Sequence, residues 1–273
     1  MSDLLILCPL ALAAALVNGA IGYGFSTLVV PVALLLYPAS VLTPGLVLAE
    51  VFMNLLAAAV SLPHAPRVAR RVLPMIIASL PGVLCGSLLL KSASAGGLRL
   101  WTFVVLLPLV LLQAAGVRRP IRAESLVSLP VGLGVGVLYA TTSISGPPLG
   151  LLFNNQGLSR DEFRAAISLF RVSEALATAL IYLYLDVYSQ ASLTLSLAVL
   201  PCIVIGVPLG RRLMRGVDSE TFRRLCMTFD AWLISFALSR LLVGYGPLAE
   251  RLRYAPMALV LVLDVVILVR YAR

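Results

Sequence analysis

Hydrophobic residues run along this chain in long unbroken blocks separated by short polar breaks, not in the spaced pattern of a helix lying on a water-soluble core. Read between charge clusters, the blocks predict long helices near 3–21, 43–62, 72–90, 99–116, 124–140, 159–184, 192–210, 221–243 and 254–270. At 1.5 Å rise per residue, segments of this length suit a hydrocarbon core about 30 Å thick. Two apolar pieces, near 25–37 and 146–156, are too short to span it. Each follows a helix-breaking turn, Gly19-Ala20-Ile21-Gly22-Tyr23-Gly24 in one case and Thr141-Thr142-Ser143-Ile144-Ser145-Gly146-Pro147-Pro148 in the other. Glycine frees the backbone and proline removes a donor. Such turns survive at membrane depth only when buried in protein or lining a cavity, so both are read as broken hairpins carrying half-helices.

The pattern also repeats. Asn54–Val60 lies over Glu174–Leu180, Pro81–Gly86 over Ile205–Gly210, and Gly24 over Gly146, all at nearly the same offset. Each half is then a hairpin followed by three helices. Five segments per half is an odd number, so the second half starts on the opposite face. The predicted fold is an all-α polytopic membrane protein with two inverted-topology repeats, about 3–116 and 124–243, plus an extra C-terminal helix at 254–270. All of 1–273 is read as a single transmembrane domain.

Composition agrees with that solvent. Hydrophobic residues make up 60% of the 273 and charged residues only 12%, about half the soluble-protein norm. The net charge of +9 sits in short basic clusters between apolar runs, which fits loops facing anionic lipid and not a nucleic-acid surface. With the hairpins reversing direction, one face receives Arg67, Arg70, Arg71, Arg118, Arg119, Arg122, Arg160, Arg164, Arg211, Arg212, Arg215, Arg223, Arg224, Arg270 and Arg273. The other receives only Lys91, Arg99, Arg240, Arg251 and Arg253. The positive-inside rule then puts the C-terminus in the cytoplasm and the N-terminus outside, in a bacterial inner membrane. No basic stretch precedes the first apolar run, which favours a retained span over a cleaved signal. Cys8, Cys85, Cys202 and Cys226 all fall inside apolar runs without metal-ligand spacing and read as packing residues.

Inverted repeats with discontinuous helices place a substrate site where the two breaks meet. The half-helices begin just after their turns, so their free N–H groups and positive dipole ends would face the membrane centre, an arrangement suited to an anion. Gly22, Gly24, Ser26 and Thr27 in one half, Thr141, Thr142, Ser143, Ser145 and Gly146 in the other, and Asn18 leading into the first turn are the candidate binding residues. They suit the oxygens of a sulfite, sulfonate or carboxylate. A plainer role for the hydroxyls is satisfying backbone at the breaks. Ionisable groups within spans are functional candidates by default. Arg171 and Glu174 lie three apart on one helix face, either as substrate cation with coupling carboxyl or as a pair that neutralises itself. Glu50, near Asn54, is the other candidate for a coupling proton, and Asp230 is similarly enclosed. Asp264 reads as a packing or oligomer contact, and His64 as a loop residue. The chain has no H-E-x-x-H, no phosphate-binding P-loop and no G-x-S-x-G, so neither an enzyme nor a metal or other cofactor is expected.

The motifs resemble those of the sulfite exporter TauE/SafE family of membrane permeases. Gly22-Tyr23-Gly24 through Pro31 is similar to the family's G-x-G-x₆-P form. Ile144-Ser145-Gly146-Pro147-Pro148, followed by Gln156-Gly157-Leu158-Ser159 and Glu162-Phe163-Arg164-Ala165, is similar to its I-S-G-P-P…G-L-S-x-x-E-F-R-A pattern. The likeness runs over roughly residues 8 to 270. It implies a multi-pass transporter of sulfur-containing or other small organic anions, often outward and driven by the proton gradient. Many members carry three successive glycines in the first turn, whereas Tyr23 and Phe25 flank Gly24 here, which makes organic anions as plausible as sulfite. An anion channel and a non-transporting assembly subunit are the alternatives.

Overall fold

The apolar blocks become helices close to where they fall in the chain. The computed structural model describes residues 2–115, 124–154, 158–213, 219–242 and 254–272. Within them lie eleven α-helices: α1 (Ser2–Ile21), α2 (Phe25–Leu36), α3 (Ala39–Ser61), α4 (Ala65–Ser92), α5 (Ala95–Ala114), α6 (Glu124–Thr142), α7 (Gly146–Asn154), α8 (Arg160–Tyr184), α9 (Gln190–Leu213), α10 (Ser219–Leu242) and α11 (Ala255–Ala272). The described residues contain no strand. α1, α3, α4, α8 and α9 are long and apolar enough to cross a membrane, while α2, at 12 residues, and α7, at 9, are the half-helices. Arg118, Arg119, Arg122, Gln156, Gly157, Arg215, Arg251, Arg253 and Arg273 lie outside the described residues, as does the side chain of Asp264.

One boundary needs correction. Arg67, Arg70 and Arg71, expected in a loop before a helix at 72, ride on the first two turns of α4. A single 3-10 turn, Leu62–His64, precedes it, and Pro66 occupies the first turn, where its missing N–H costs nothing. The 28 residues of α4 reach about 42 Å, so its basic start extends beyond the hydrocarbon core.

Burial is inverted relative to a water-soluble protein. Leu73, Ile77, Leu80, Leu84 and Leu88 form an exposed apolar stripe along α4, whereas Glu50, Asn54, Arg171, Glu174 and Asp230 are buried. Such an outer surface requires lipid.

Packing between helices rests on small residues. Along α4 and α6, Gly82 lies against the Leu133 carbonyl, Gly86 against Val137, Gly132 against Met75 and Gly136 against Ser79. Along α1 and α9, Gly206 meets Leu12 and Ala15, Gly210 meets Leu16 and Gly19 meets Val207. Residue numbers rise together in each seam, so each pair is parallel. A side chain at these glycines would overlap the facing backbone. The remaining neighbours follow the same plan: α3 packs on α8, α5 on α10, α4 on α8 and α9 on α3, with α2 against α10 and α7 against α5. Exchanging α1–α5 for α6–α10 leaves this set of pairings unchanged. α11 packs on α10.

Candidate functional site

Both breaks are built from backbone that ordinary residues avoid. α1 ends at Gly22 (φ 98°) and Gly24 (φ 105°), which turn the chain into α2. α6 ends at Ser143 (φ 63°), a non-glycine residue in the left-handed region. Gly146 is needed for a different reason: it opens α7 beneath the Tyr23 ring, where a Cβ would come within 2.9 Å of the ring edge. Tyr23 also stands edge-on to Phe163, centroids 6.5 Å apart. The two tips therefore meet, and the hydroxyls of Ser26 and Ser143 approach to 3.3 Å.

Side chains from elsewhere cover the carbonyls freed by the breaks. Arg164 donates to the Ala20 carbonyl at 2.9 Å, Tyr182 donates to that of Ala140, and Thr43 to that of Thr141 at 3.3 Å. The first residues of the two half-helices, Phe25 to Thr27 and Gly146 with Pro147, are buried. Gly24 at the α2 N-cap supplies no side-chain cap. At α7 the expected row of free N–H groups is shorter, because Pro147 and Pro148 in its first turn have none. The Leu158–Ala165 motif starts α8 with a reciprocal cap. The Ser159 hydroxyl accepts from the Glu162 N–H, and the Glu162 carboxylate accepts from the Ser159 N–H. The same stretch thus starts the helix, supports Tyr23 and caps α1.

Beneath the tips lies a buried polar cluster. Arg171, halfway along α8, donates to Asn18 Oδ1 of α1 at 3.2 Å and to Glu50 Oε1 of α3 at 3.0 Å. The same Glu50 oxygen accepts from the Ser26 hydroxyl of α2, and Asn54 donates to the Arg171 carbonyl at 3.5 Å. Arg171 is 2% exposed and Glu50 fully buried. Taking both ions out of water costs several kcal/mol each, which only mutual attraction and full hydrogen bonding offset. That satisfaction is incomplete. Glu50 Oε2, Arg171 Nε, Ser145 Oγ, Tyr139 OH and both oxygens of Glu174 are buried without a hydrogen-bond partner. Ser145 and Arg171 flank Glu174, and Tyr139 flanks Glu50. Polar atoms so placed form a ready set of ligands for a small polar guest.

Several sequence expectations resolve here. Asn18, Ser26, Ser143, Glu50 and Arg171 come together, with Ser145 and Glu174 beside them. Arg171 and Glu174 do not form the self-neutralising pair, because the guanidinium turns toward α3 and α1 instead. Thr141 bonds back to the Val137 and Leu138 carbonyls, while Thr142 bonds to Leu138 and accepts from the Ile144 N–H, so both serve the break itself. Thr27 donates to the Gly24 carbonyl on the α10 side of α2. Tyr139, one helical turn before Ser143, carried no sequence signal beyond lying near a break.

A cavity of about 230 Å³ leads to the cluster between α1, α3, α8 and α9. Gly22, Ser61, Arg164, Ser168 and Arg211 line it, and Asn18 forms part of its wall. Among the described residues no group of His, Cys, Asp and Glu could hold a metal ion. The family model described as Sulfite exporter TauE/SafE matches residues 7–236. No curated protein and no solved structure matches the chain.

Proposed function

We propose a transport mechanism for a chain that belongs to the sulfite exporter TauE/SafE family, a family of multi-pass membrane permeases of the anion or sulfite type. The substrate is a small oxyanion, sulfite or an organic sulfonate or carboxylate, held between the two hairpin tips by Arg171, Asn18, Ser26, Ser143 and Ser145. The observation that carries this is the Arg171 ion pair with Glu50 directly below the meeting point of both tips. A buried guanidinium is the natural partner of a planar or tetrahedral oxyanion, and Glu50 is the carboxylate with which the anion would compete for it.

Charge balance then couples anion to proton. With Glu50 and Glu174 both ionised, two negative charges surround one guanidinium and an incoming anion is repelled. A proton on Glu50 releases Arg171 to the substrate, and a proton on Glu174 removes the second repulsion. Glu50 and Glu174 are therefore the coupling residues. Anion and proton travel together, and the carrier is reversible. Carried with two protons, a dianion crosses without net charge, so the pH gradient and the anion's own gradient together set the direction of transport.

The arrangement works by alternating access between two inverted repeats, about 3–116 and 124–243, in a bacterial inner membrane. The N-terminus is outside and the C-terminus cytoplasmic. The interchangeable packing of the two halves supports the repeats, and Lys91 at the end of α4, donating to the Leu185 carbonyl just past α8, supports a shared outer face for those ends. Arg164 and Arg211 line the cytoplasmic approach, where they raise the local anion concentration. Uptake of labelled sulfite and of simple sulfonates into proteoliposomes, with and without a proton gradient, tests the reading. Accumulation beyond equilibrium excludes a channel, and no flux of any anion would leave a non-transporting subunit.

A further inference from the structure

Asp230 lies on α10 outside the Arg171 cluster and is fully buried, and neither carboxylate oxygen has a hydrogen-bond partner. Among the described residues its surroundings offer no positive charge. The elements packed against α10 are α1, α2, α5 and α11. α2 has no ionisable residue at all, and the basic residues of α5 and α11 are limited to Arg99 and Arg270, whose side chains fall outside the described set. α1 contributes only Asp3, also outside it, and Cys8. Among described groups, the Thr27 hydroxyl faces Asp230 from α2 and the Cys226 thiol from the preceding turn of α10. Thr27 spends its proton on the Gly24 carbonyl at 2.9 Å, so it does not satisfy the carboxylate.

A carboxyl group in this setting needs a counter-charge. One hydroxyl and one thiol are too few for a metal cation, which takes about six oxygens. A proton is the remaining choice. The position also has a mechanical link to the anion site. Ser26 and Thr27 are consecutive residues of half-helix α2, Ser26 bonded to Glu50 on one side and Thr27 turned to Asp230 on the other. Beside them an apolar cavity of about 400 Å³, lined by Val17, Leu28, Cys226 and Phe229 among others, leaves α2 room to shift.

We propose that Asp230 is a further proton-binding site of the carrier, separate from Glu50 and Glu174, taking one proton from one face and releasing it to the other in each cycle, and acting on the anion site through α2. This rests on the reading of the chain as a proton-coupled anion carrier.

The test uses the full-length protein in proteoliposomes with labelled sulfite, the potential clamped at zero, a one-unit pH gradient imposed, and protein-free vesicles subtracted. Each coupled proton multiplies the limiting accumulation by ten under these conditions. Asp230→Asn should lower the accumulation ratio about tenfold relative to wild type, while sulfite–sulfite exchange remains measurable. Equal accumulation in the two proteins would overturn the proposal and leave Asp230 a neutral packing group. If Asp230→Asn does not fold, Thr27→Val decides: the pH of half-maximal accumulation should shift, and an unshifted profile overturns the proposal. Wild-type protein that neither exchanges nor accumulates sulfite would instead remove the carrier reading itself.

Discussion

Replacing Glu50 by Gln removes the charge that holds Arg171 while keeping an oxygen for Ser26. At the observed 3.0 Å separation and an effective dielectric of about 20, the lost Coulomb attraction is roughly 5 kcal/mol. Breaking a buried pair in this way typically costs 3–5 kcal/mol, because the remaining ion stays desolvated. For a chain of this size each kcal/mol is worth about 2–4 °C in Tm, so the anion-free variant should melt about 6–20 °C lower. Substrate reverses the sign. Sulfite no longer competes with Glu50 for the guanidinium, so its affinity should rise at least about tenfold, equivalent to about 1.4 kcal/mol. At a concentration near 100 times Kd it should return about 2.7 kcal/mol of stability. Thermal unfolding of the detergent-purified proteins across a sulfite titration measures both effects. A variant as stable as wild type without sulfite, or one that binds sulfite no more tightly, would refute the competition between Glu50 and the anion.

Gly146→Leu should abolish sulfite flux without preventing membrane insertion, because the added side chain drives into Tyr23, and uptake alongside membrane fractionation reads both. Gly210→Leu should destabilise the protein by at least the 1–3 kcal/mol usual for overpacking, since its side chain would enter the Leu16 backbone; the Tm of the purified protein reports it. Ser159→Ala removes half of the α8 cap and should cost about 0.5–2 kcal/mol, again read from Tm, with the sulfite Kd little changed.

How far the site was legible depends on whether a residue signals through its neighbours in sequence or in space. Both broken hairpins were visible because Gly22, Gly24 and the Gly146-Pro147-Pro148 run contradict the apolar blocks around them. The start of α4 was misplaced because Arg67, Arg70 and Arg71 mark the edge of the hydrocarbon, whereas the helix ignores that edge and continues into the headgroup zone. Periodicity reveals only partners on the same helix, so it offered Glu174 to Arg171. The bond across to Glu50 depends on α3 packing against α8, which no local pattern encodes. The hydroxyls divided for a similar reason: Thr141 and Thr142 bond to carbonyls one turn back, whereas Ser26 bonds to Glu50 and Ser143 meets Ser26 across the two halves. Gly146 drew notice in the sequence for its flexibility, whereas in the fold it makes room for an aromatic ring from the other half.

The glycine seams also bear on how the protein is made. Each joins a helix of one half to a helix of the other, α6 to α4 and α1 to α9, in contacts too close for any side chain. α4 and α6 leave the ribosome in quick succession. α1 does not meet α9 until nearly 190 residues later, which at roughly 5–20 residues per second is about 10–40 seconds of synthesis. Through that interval its Gly19 face and Asn18 have only lipid or an insertion chaperone for company. The two halves cannot mature one after the other, and a ribosome stalled beyond α5 would leave an orphan helix in the bilayer for quality-control proteases to find.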